Sequence, residues 1–269
     1  STMQITSAMK MVSAAKLKKA QDAITAMRPY SNKLTEILQS LSSSIDSDNK
    51  YAQKRKVKKV LIVSITSNRG LCGGFNSNIF KKSTELANSV YNDTDVSFVA
   101  IGKKGNDFLQ KSYNVESNHI DIFDNLNMES VSLIAESLMQ MFVNEDFDKI
   151  DIVYNKFKNA ATQVVVNEQF LPISDVEDDS NNNLDYIFEP SKKEIIEELI
   201  PKSLKNQLFK AIRDSWASEH GARMTAMHKA TDNATELRDQ LKLAYNQARQ
   251  AAITNEILEI VGGAEALNN

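Results

Sequence analysis

Apolar positions follow three successive rhythms along this chain, and each rhythm predicts a different kind of element. From Met3 to about Ile45 good helix formers dominate. There Ile5, Met9, Val12, Ala20, Ile24, Met27, Leu34, Leu38 and Leu41 recur mostly three or four residues apart, the spacing of one helix face. Pro29 removes a backbone hydrogen bond and is expected to kink or tilt that helix. The polar run SSSIDSDNKYAQKRK then reads as a frayed end or a loop.

The middle of the chain alternates two rhythms. VKKVLIVSITS, DVSFVAIG, KIDIVYNKF and ATQVVVNEQFLP are β-branched apolar runs of strand length. NSNIFKKSTELANSVYN, KKGNDFLQKSY and NMESVSLIAESLMQMFVNE have helical periodicity. Strands alternating with helices predict a mainly parallel sheet covered on both faces. The last two strands lie close together in sequence, so one sheet edge is expected to be antiparallel. SDVEDDSNNNLDY reads as an acidic loop or hairpin tip.

From about Lys202 to Leu267 there is no proline, and Gly221 is the only glycine before Gly262. As one helix, roughly 60 residues at ~1.5 Å each would span about 90 Å, far beyond the width of such a domain. From Met227 onward one seam holds Met227, Ala234, Leu241 and Ala248. A second holds Ala230, Leu237, Ala244, Ala251 and Leu258. That sustained spacing predicts a coiled coil, and its alanines admit a close partner. The alanine- and serine-rich N-terminal helix fits that part. The expected fold is therefore α/β: a long antiparallel coiled coil of the terminal helices with a Rossmann-like domain inserted between them. The expected divisions are 1–56 (N-terminal shaft helix), 57–200 (α/β foot) and 201–269 (C-terminal shaft helix). Two helices hinged near Gly221 are the alternative for the last part.

Composition narrows the function. The 269 residues are 42% hydrophobic and 25% charged, ordinary for a soluble protein, and no run is long enough to span a membrane. The start lacks the features of a secretory signal and reads as mid-helix, so residues upstream are expected to be missing. The net charge of −3 is unevenly spread: +6 over residues 1–56, −10 over 57–200 and +1 over 201–269. The basic N-terminal helix, with Lys10, Lys16, Lys18, Lys19 and Arg28, has no interleaved aromatics and so does not suggest nucleic acid. It is either a solvated face or a surface for an acidic protein. Cys72 is the only cysteine, which fits a reducing compartment; it is read as a small packed residue.

The glycine cluster SNRGLCGGFN follows an apolar strand, which is where phosphate loops occur. The spacing nevertheless matches neither the Walker loop nor the dinucleotide fingerprint. Arg69, Gly70, Cys72, Gly73 and Gly74 are read as a tight strand-to-helix turn, whose glycines take backbone angles or close contacts that other residues cannot. His220 and His228 are eight apart, not at the four-residue spacing that clamps a metal, and VEDD lacks the alternation of a calcium loop. No metal site, cofactor or catalytic constellation is expected. In the last stretch, AAITNEILEIVGGAEALNN, apolar residues surround the helix instead of forming a stripe. Ile257, Leu258, Ile260 and Val261 therefore call for burial, either folded back on the chain or inside another protein.

Four blocks carry a resemblance to a known family: MQITSAMKMVSAAKLKKAQ, RGLCGGFN, SEHGARMTAMHKATDNA and YNQARQAAITNEILEIVGGAEAL. They resemble the gamma subunit of F-type ATP synthase over nearly the whole chain, with roughly a dozen or more N-terminal residues absent. The resemblance implies a central-stalk rotor subunit that transmits torque between proton flow and ATP synthesis and catalyses nothing itself. It further implies a tip held in a hexamer of alpha and beta subunits, and a foot near the epsilon subunit and the c-subunit ring. It places Arg249, Gln250, Thr254 and Glu256 against the catalytic ring, with a contact at Asn255 in doubt because relatives commonly carry glutamine there. It sets Met9, Lys10 and Lys16 opposite an acidic loop of the beta subunit. Asn68 stands where relatives usually have aspartate, which removes a charge from the foot loop. A lone cysteine argues against the redox switch of the chloroplast type. The implied location is peripheral, on the cytoplasmic face of a bacterial inner membrane; the mitochondrial matrix side is the alternative. The rival reading is a nucleotide-binding α/β protein with coiled-coil extensions.

Overall fold

The structure is a computed structural model that describes residues 2–41, 49–173 and 192–267. The acidic SDVEDDSNNNLDY segment and residues 42–48 of the polar run after Leu41 lie outside the described residues. The elements in order are α1 (Thr2–Leu41), β1 (Lys59–Ile65), α2 (Phe75–Glu85, continued as a π-turn over Leu86–Val90) and β2 (Asp95–Ile101). There follow α3 (Lys103–Leu109), β3 (Asn114–His119), α4 (Met128–Val143), β4 (Lys149–Phe157), β5 (Gln163–Leu171) and α5 (Lys192–Leu267).

The sheet runs β3-β2-β1-β4-β5. Its first four strands are parallel, and β5 pairs antiparallel with β4, the edge the sequence suggested. Alternation along β1 sends Leu61, Val63 and Ile65 to one core and Val60 and Ile62 to another. The first core is roofed by α4 and by Leu204, Leu208 and Ile212 of α5; the second is covered by α2 and Leu109 of α3. Strand β3 was not legible beforehand. NVESNH has one apolar residue and lies at the edge, where its residues alternate between exposed and half-buried, so little hydrophobicity is needed to hold it.

The seventy-six residues of α5 form one helix, about 114 Å long at ~1.5 Å per residue. It has no hinge at Gly221 and no break at residue 201: Pro201 lies within it, and Ile196 and Ile200 already belong to the foot core. Likewise α1 passes unbroken through Pro29. The two helices pack antiparallel. Thr231 Oγ1 donates to Thr6 Oγ1 at 2.8 Å, and Asn206 Nδ2 donates to Ser31 Oγ at 3.0 Å. These two cross-links lie the same number of residues apart on each helix, so the pair runs without slip between them.

The buried face of α1 keeps Ala20, Ile24, Met27 and Leu34 of the expected positions but not Ile5 and Val12. Ile5 and Val12 are both 58% exposed, whereas Ser13, Leu17, Ala20, Ile24, Ser31 and Leu34 are buried. With half-buried Met27 these positions alternate four and three apart, a clean heptad seam. Two serines on that seam concealed it from a hydrophobicity count. Of Leu38 and Leu41 only the helical backbone is described.

Candidate functional site

The functional geometry is that of a shaft held at one end. Along its foot-embedded half, α5 is fastened turn by turn. Lys205 pairs with Glu136 at 2.6 Å, Gln207 Nε2 donates to Glu168 Oε1 at 2.7 Å, and Arg213 Nη2 donates to the Leu126 carbonyl at 2.6 Å. Higher up, Ser218 Oγ donates to the Asn155 carbonyl at 3.0 Å, and Thr225 Oγ1 to the Ala160 carbonyl at 3.2 Å. Gly221 admits the β4–β5 turn: a Cβ there would lie 3.1 Å from the Ala160 carbonyl oxygen. One turn earlier, Leu17, Ala20 and Ile24 of α1 pack with Ala217, and Ala160 packs against the same cluster.

Where the shaft leaves the foot, a buried polar cluster binds the glycine loop. Arg223 Nη1 lies 2.7 Å from Glu219 Oε1 and 3.3 Å from His220 Nδ1. Its Nη2 donates to the carbonyls of Arg69 at 2.9 Å and Gly70 at 3.3 Å, and its Nε also reaches Gly70 at 3.3 Å. Glu219, His220 and Arg223 are all buried. Burial pulls the His220 imidazole down to about 3, helped by the charges of Arg223 and Lys16, so it is neutral at pH 7. Arg223 Nη1 can only donate, which makes Nδ1 the acceptor and leaves the ring proton on Nε2, a buried atom with no hydrogen-bond partner among the described residues. Burial raises the Glu219 carboxyl, against the pull of Arg223 and Lys16.

The loop itself resolves the phosphate question. A phosphate cradle turns backbone N–H groups toward the ligand; here the groups offered to the shaft are carbonyl oxygens, and a guanidinium already engages them. Gly73 has φ +57, as a tight turn requires. Gly70 and Gly74 have neither positive φ nor a crowded Cβ position, so the expectation that all three glycines are sterically required is corrected. The exposed Leu71 takes a left-handed φ of +61 instead. The most crowded glycine is Gly102, at φ +104, where a Cβ would lie 2.3 Å from the Thr66 carbonyl oxygen. Cys72 packs with Phe75 and Ala222, and burial raises its thiol, which keeps it protonated and unreactive. Asn68 bridges two loops, donating to the Ile120 carbonyl and accepting from Lys103 N, both at 2.9 Å. An aspartate could not make the first of these bonds.

Beyond the foot the shaft is bare. Residues 236–264 are exposed except for half-buried Asn246. The coiled-coil seam is engaged at Met227, Ala230 and Ala234, while Leu241 is 61% exposed and Leu258 63%; the described part of α1 reaches Arg238, whose Nη1 meets Met3 Sδ at 3.6 Å. Ile257, Ile260 and Val261 are exposed with Leu258 at the far end. Arg249, Gln250, Thr254 and Glu256 are exposed as well, and Thr254 Oγ1 bonds only back to the Gln250 carbonyl among the described residues. Met9 and Lys10 are half-buried on α1, and Lys16 is exposed. The structure does not gather these residues into one site. It strings them along the shaft, Arg249 lying roughly 27 Å beyond Thr231 at ~1.5 Å per residue. Arg223 and Glu219 were missed as functional residues; their only sequence signal is a charged run inside SEHGARMTAM. No described helix is long and apolar enough to cross a membrane, and no cluster of three or more potential metal ligands occurs among the described residues.

Comparison with known proteins matches this architecture. The family model described as ATP synthase covers residues 1–267. The ATP synthase gamma chain of Christiangramia forsetii is 65% identical over 270 residues, covering 100% of this chain and 94% of the relative. That of Cytophaga hutchinsonii is 51% identical, covering 100% and 95%. Among solved structures, the central stalk and c-ring of the Tetrahymena thermophila mitochondrial ATP synthase superposes with a TM-score of 0.65 at 25% identity, covering 84% of this chain and 99% of that one. The rotor of the Euglena gracilis mitochondrial enzyme gives 0.68 at 22% identity, covering 93% of each chain. The overall fold is shared with these rotors, and the chain belongs to the gamma chain family of ATP synthase.

Proposed function

We propose that this chain has no catalytic centre of its own and acts as the torque-bearing axle between a proton-driven c-subunit ring and the alpha and beta subunits that make ATP. A gamma chain is the central-stalk rotor subunit of the rotary ATP synthase. The observation that carries the finer reading is the contrast along α5. One half is cemented into the foot, so that turning the foot turns the helix, while the other half presents apolar surface all round and needs a sleeve. On this reading Ile257, Leu258, Ile260 and Val261 form the bearing tip. Arg249, Gln250, Thr254 and Glu256 meet the catalytic ring, and Met9, Lys10 and Lys16 meet an acidic loop of a beta subunit. The foot, residues 57–200, carrying the net charge of −10, faces the epsilon subunit and the c-ring. Residues 1–56 and 201–269 form the shaft. The complex would sit peripherally on the cytoplasmic face of a bacterial inner membrane.

Co-purification through a tag on an exposed foot loop tests this. Recovery of alpha and beta subunits with ATPase activity is expected, and removal of residues 253–269 should abolish ATP synthesis while the foot still unfolds as before. A chain recovered alone, folded and binding nucleotide, would overturn the reading, as would unchanged synthesis after the truncation.

A further inference from the structure

The buried cluster at the top of the foot does more than fill space. A buried ion pair such as Glu219–Arg223 is weak evidence for stability, since removing both charges from water costs about as much as their attraction returns. Its geometry is more informative. Three nitrogens of one guanidinium serve the Glu219 carboxylate, the His220 ring and the carbonyls of Arg69 and Gly70. Only the planar fork of arginine can span such a set; an ammonium is a point donor. The carbonyl of Gly70 belongs to the peptide that leads into Leu71, which is 64% exposed yet held at φ +61. A bulky residue persists in that region only where its surroundings over-determine it. Lys16 of α1 adds its charge to the same cluster, so both shaft helices face it.

We propose that Arg223 is a positioning residue for rotary coupling, the clasp that makes loop 69–74 turn as one body with the shaft. The inference rests on the torque-bearing reading above. Without the clasp, the loop would retain its packing of Cys72 and Phe75 on Ala222 but lose the directional bonds that fix its rotation relative to α5. The loop would then lag behind the shaft under load, and whatever it bears on would turn less tightly with α5.

The test is Arg223→Lys in the complete enzyme reconstituted in sealed vesicles, read as protons moved per ATP hydrolysed. Lysine keeps a positive charge against Glu219 and so avoids a buried unpaired carboxylate, but it cannot hold both carbonyls. Amide exchange over residues 70–74 should quicken about tenfold, and the proton-to-ATP ratio should fall. A merely structural role would lower the amount of assembled enzyme and both rates together, leaving the ratio unmoved. Leu71→Gly, which loosens the loop without touching buried charge, should lower the ratio in the same direction. An unchanged ratio in both variants overturns the coupling role, and unchanged exchange in Arg223→Lys overturns the clasp itself. If the wild-type chain fails to couple in the same vesicles, it is the torque-bearing reading that falls.

Discussion

The two halves of α5 are the same helix under opposite conditions. From Ile196 to Thr225 it is packed into the foot core and bonded to β4, β5, α4 and the glycine loop. From Glu236 to Ala264 almost nothing in the chain touches it. Intrinsic propensity does not explain the difference, because both stretches are rich in good helix formers. What differs is which side chains have something to pack against. The embedded half gains tertiary stabilisation and can carry torque from the foot. Among the described residues, the bare half keeps large apolar side chains such as Leu241, Ile257 and Leu258 exposed.

Core truncation gives the largest expected contrast. Leu208→Ala in the embedded half removes a fully buried side chain and should cost about 2–5 kcal/mol, whereas Leu258→Ala in the bare half should change stability by less than about 0.5 kcal/mol. Urea unfolding of the isolated chain measures both, and equal losses would erase the distinction between the halves.

The embedded half should also carry the acid sensitivity. His220, ordinarily near 6.5, is held near 3. Between those values the unfolded chain binds a proton that the folded chain refuses, so stability falls as pH falls through that window. Asp214 acts in the opposite sense. Burial raises it from 3.8 to about 6 despite Lys210, Lys156 and Arg28, so the folded chain holds a proton the unfolded chain has lost, and stability rises as pH falls from 6 toward 4. The two slopes oppose, each worth up to about 1.4 kcal/mol per pH unit. His220 titrates over the wider window. His220→Gln should therefore leave the chain less acid-sensitive between pH 6 and 4, and Asp214→Asn should leave it more acid-sensitive, in urea midpoints taken across that range. If neither substitution shifts the slope, the buried cluster is not the origin of the pH dependence.

Gly102→Ala tests the foot itself. With a left-handed backbone and a carbonyl in the way of the new Cβ, it should lose about 1–3 kcal/mol; a neutral result would show that the β2–α3 turn can shift. A smaller loss is expected where the embedded half gives way to the bare one. Thr231→Val breaks the hydroxyl bond to Thr6 and should cost about 1 kcal/mol in the same unfolding assay. No loss there would move the functional end of the helix pair down toward Ser31 and Asn206.

Much of this was legible in advance. Period and β-branched runs located β1, β2, β4 and β5, all three foot helices and the antiparallel edge, because each buries enough apolar surface to print a pattern. Edge strand β3 prints none, and the α1 seam was obscured by Ser13 and Ser31, which are buried at a close helix contact where bulk would not fit. The exposed apolar tip was readable from Ile257, Leu258, Ile260 and Val261 because an apolar run all round a helix is conspicuous in sequence. The clasp was not. Glu219, His220 and Arg223 look like an ordinary charged helix face until the fold delivers the carbonyls of Arg69 and Gly70 from some 150 residues away.

By itself the sequence determined the local periods: a long helix at each end, an alternating α/β middle, and an apolar tip that calls for burial. These follow from side-chain hydrophobicity at fixed helical and strand repeats, which act over a few residues. Only the tertiary structure decided that α5 passes unbroken through Pro201 and Gly221, that Ser13 and Ser31 lie on the buried seam of α1, and that a guanidinium binds the glycine loop. Those outcomes depend on which distant groups come within bonding distance, and distance through space is not written in spacing along the chain.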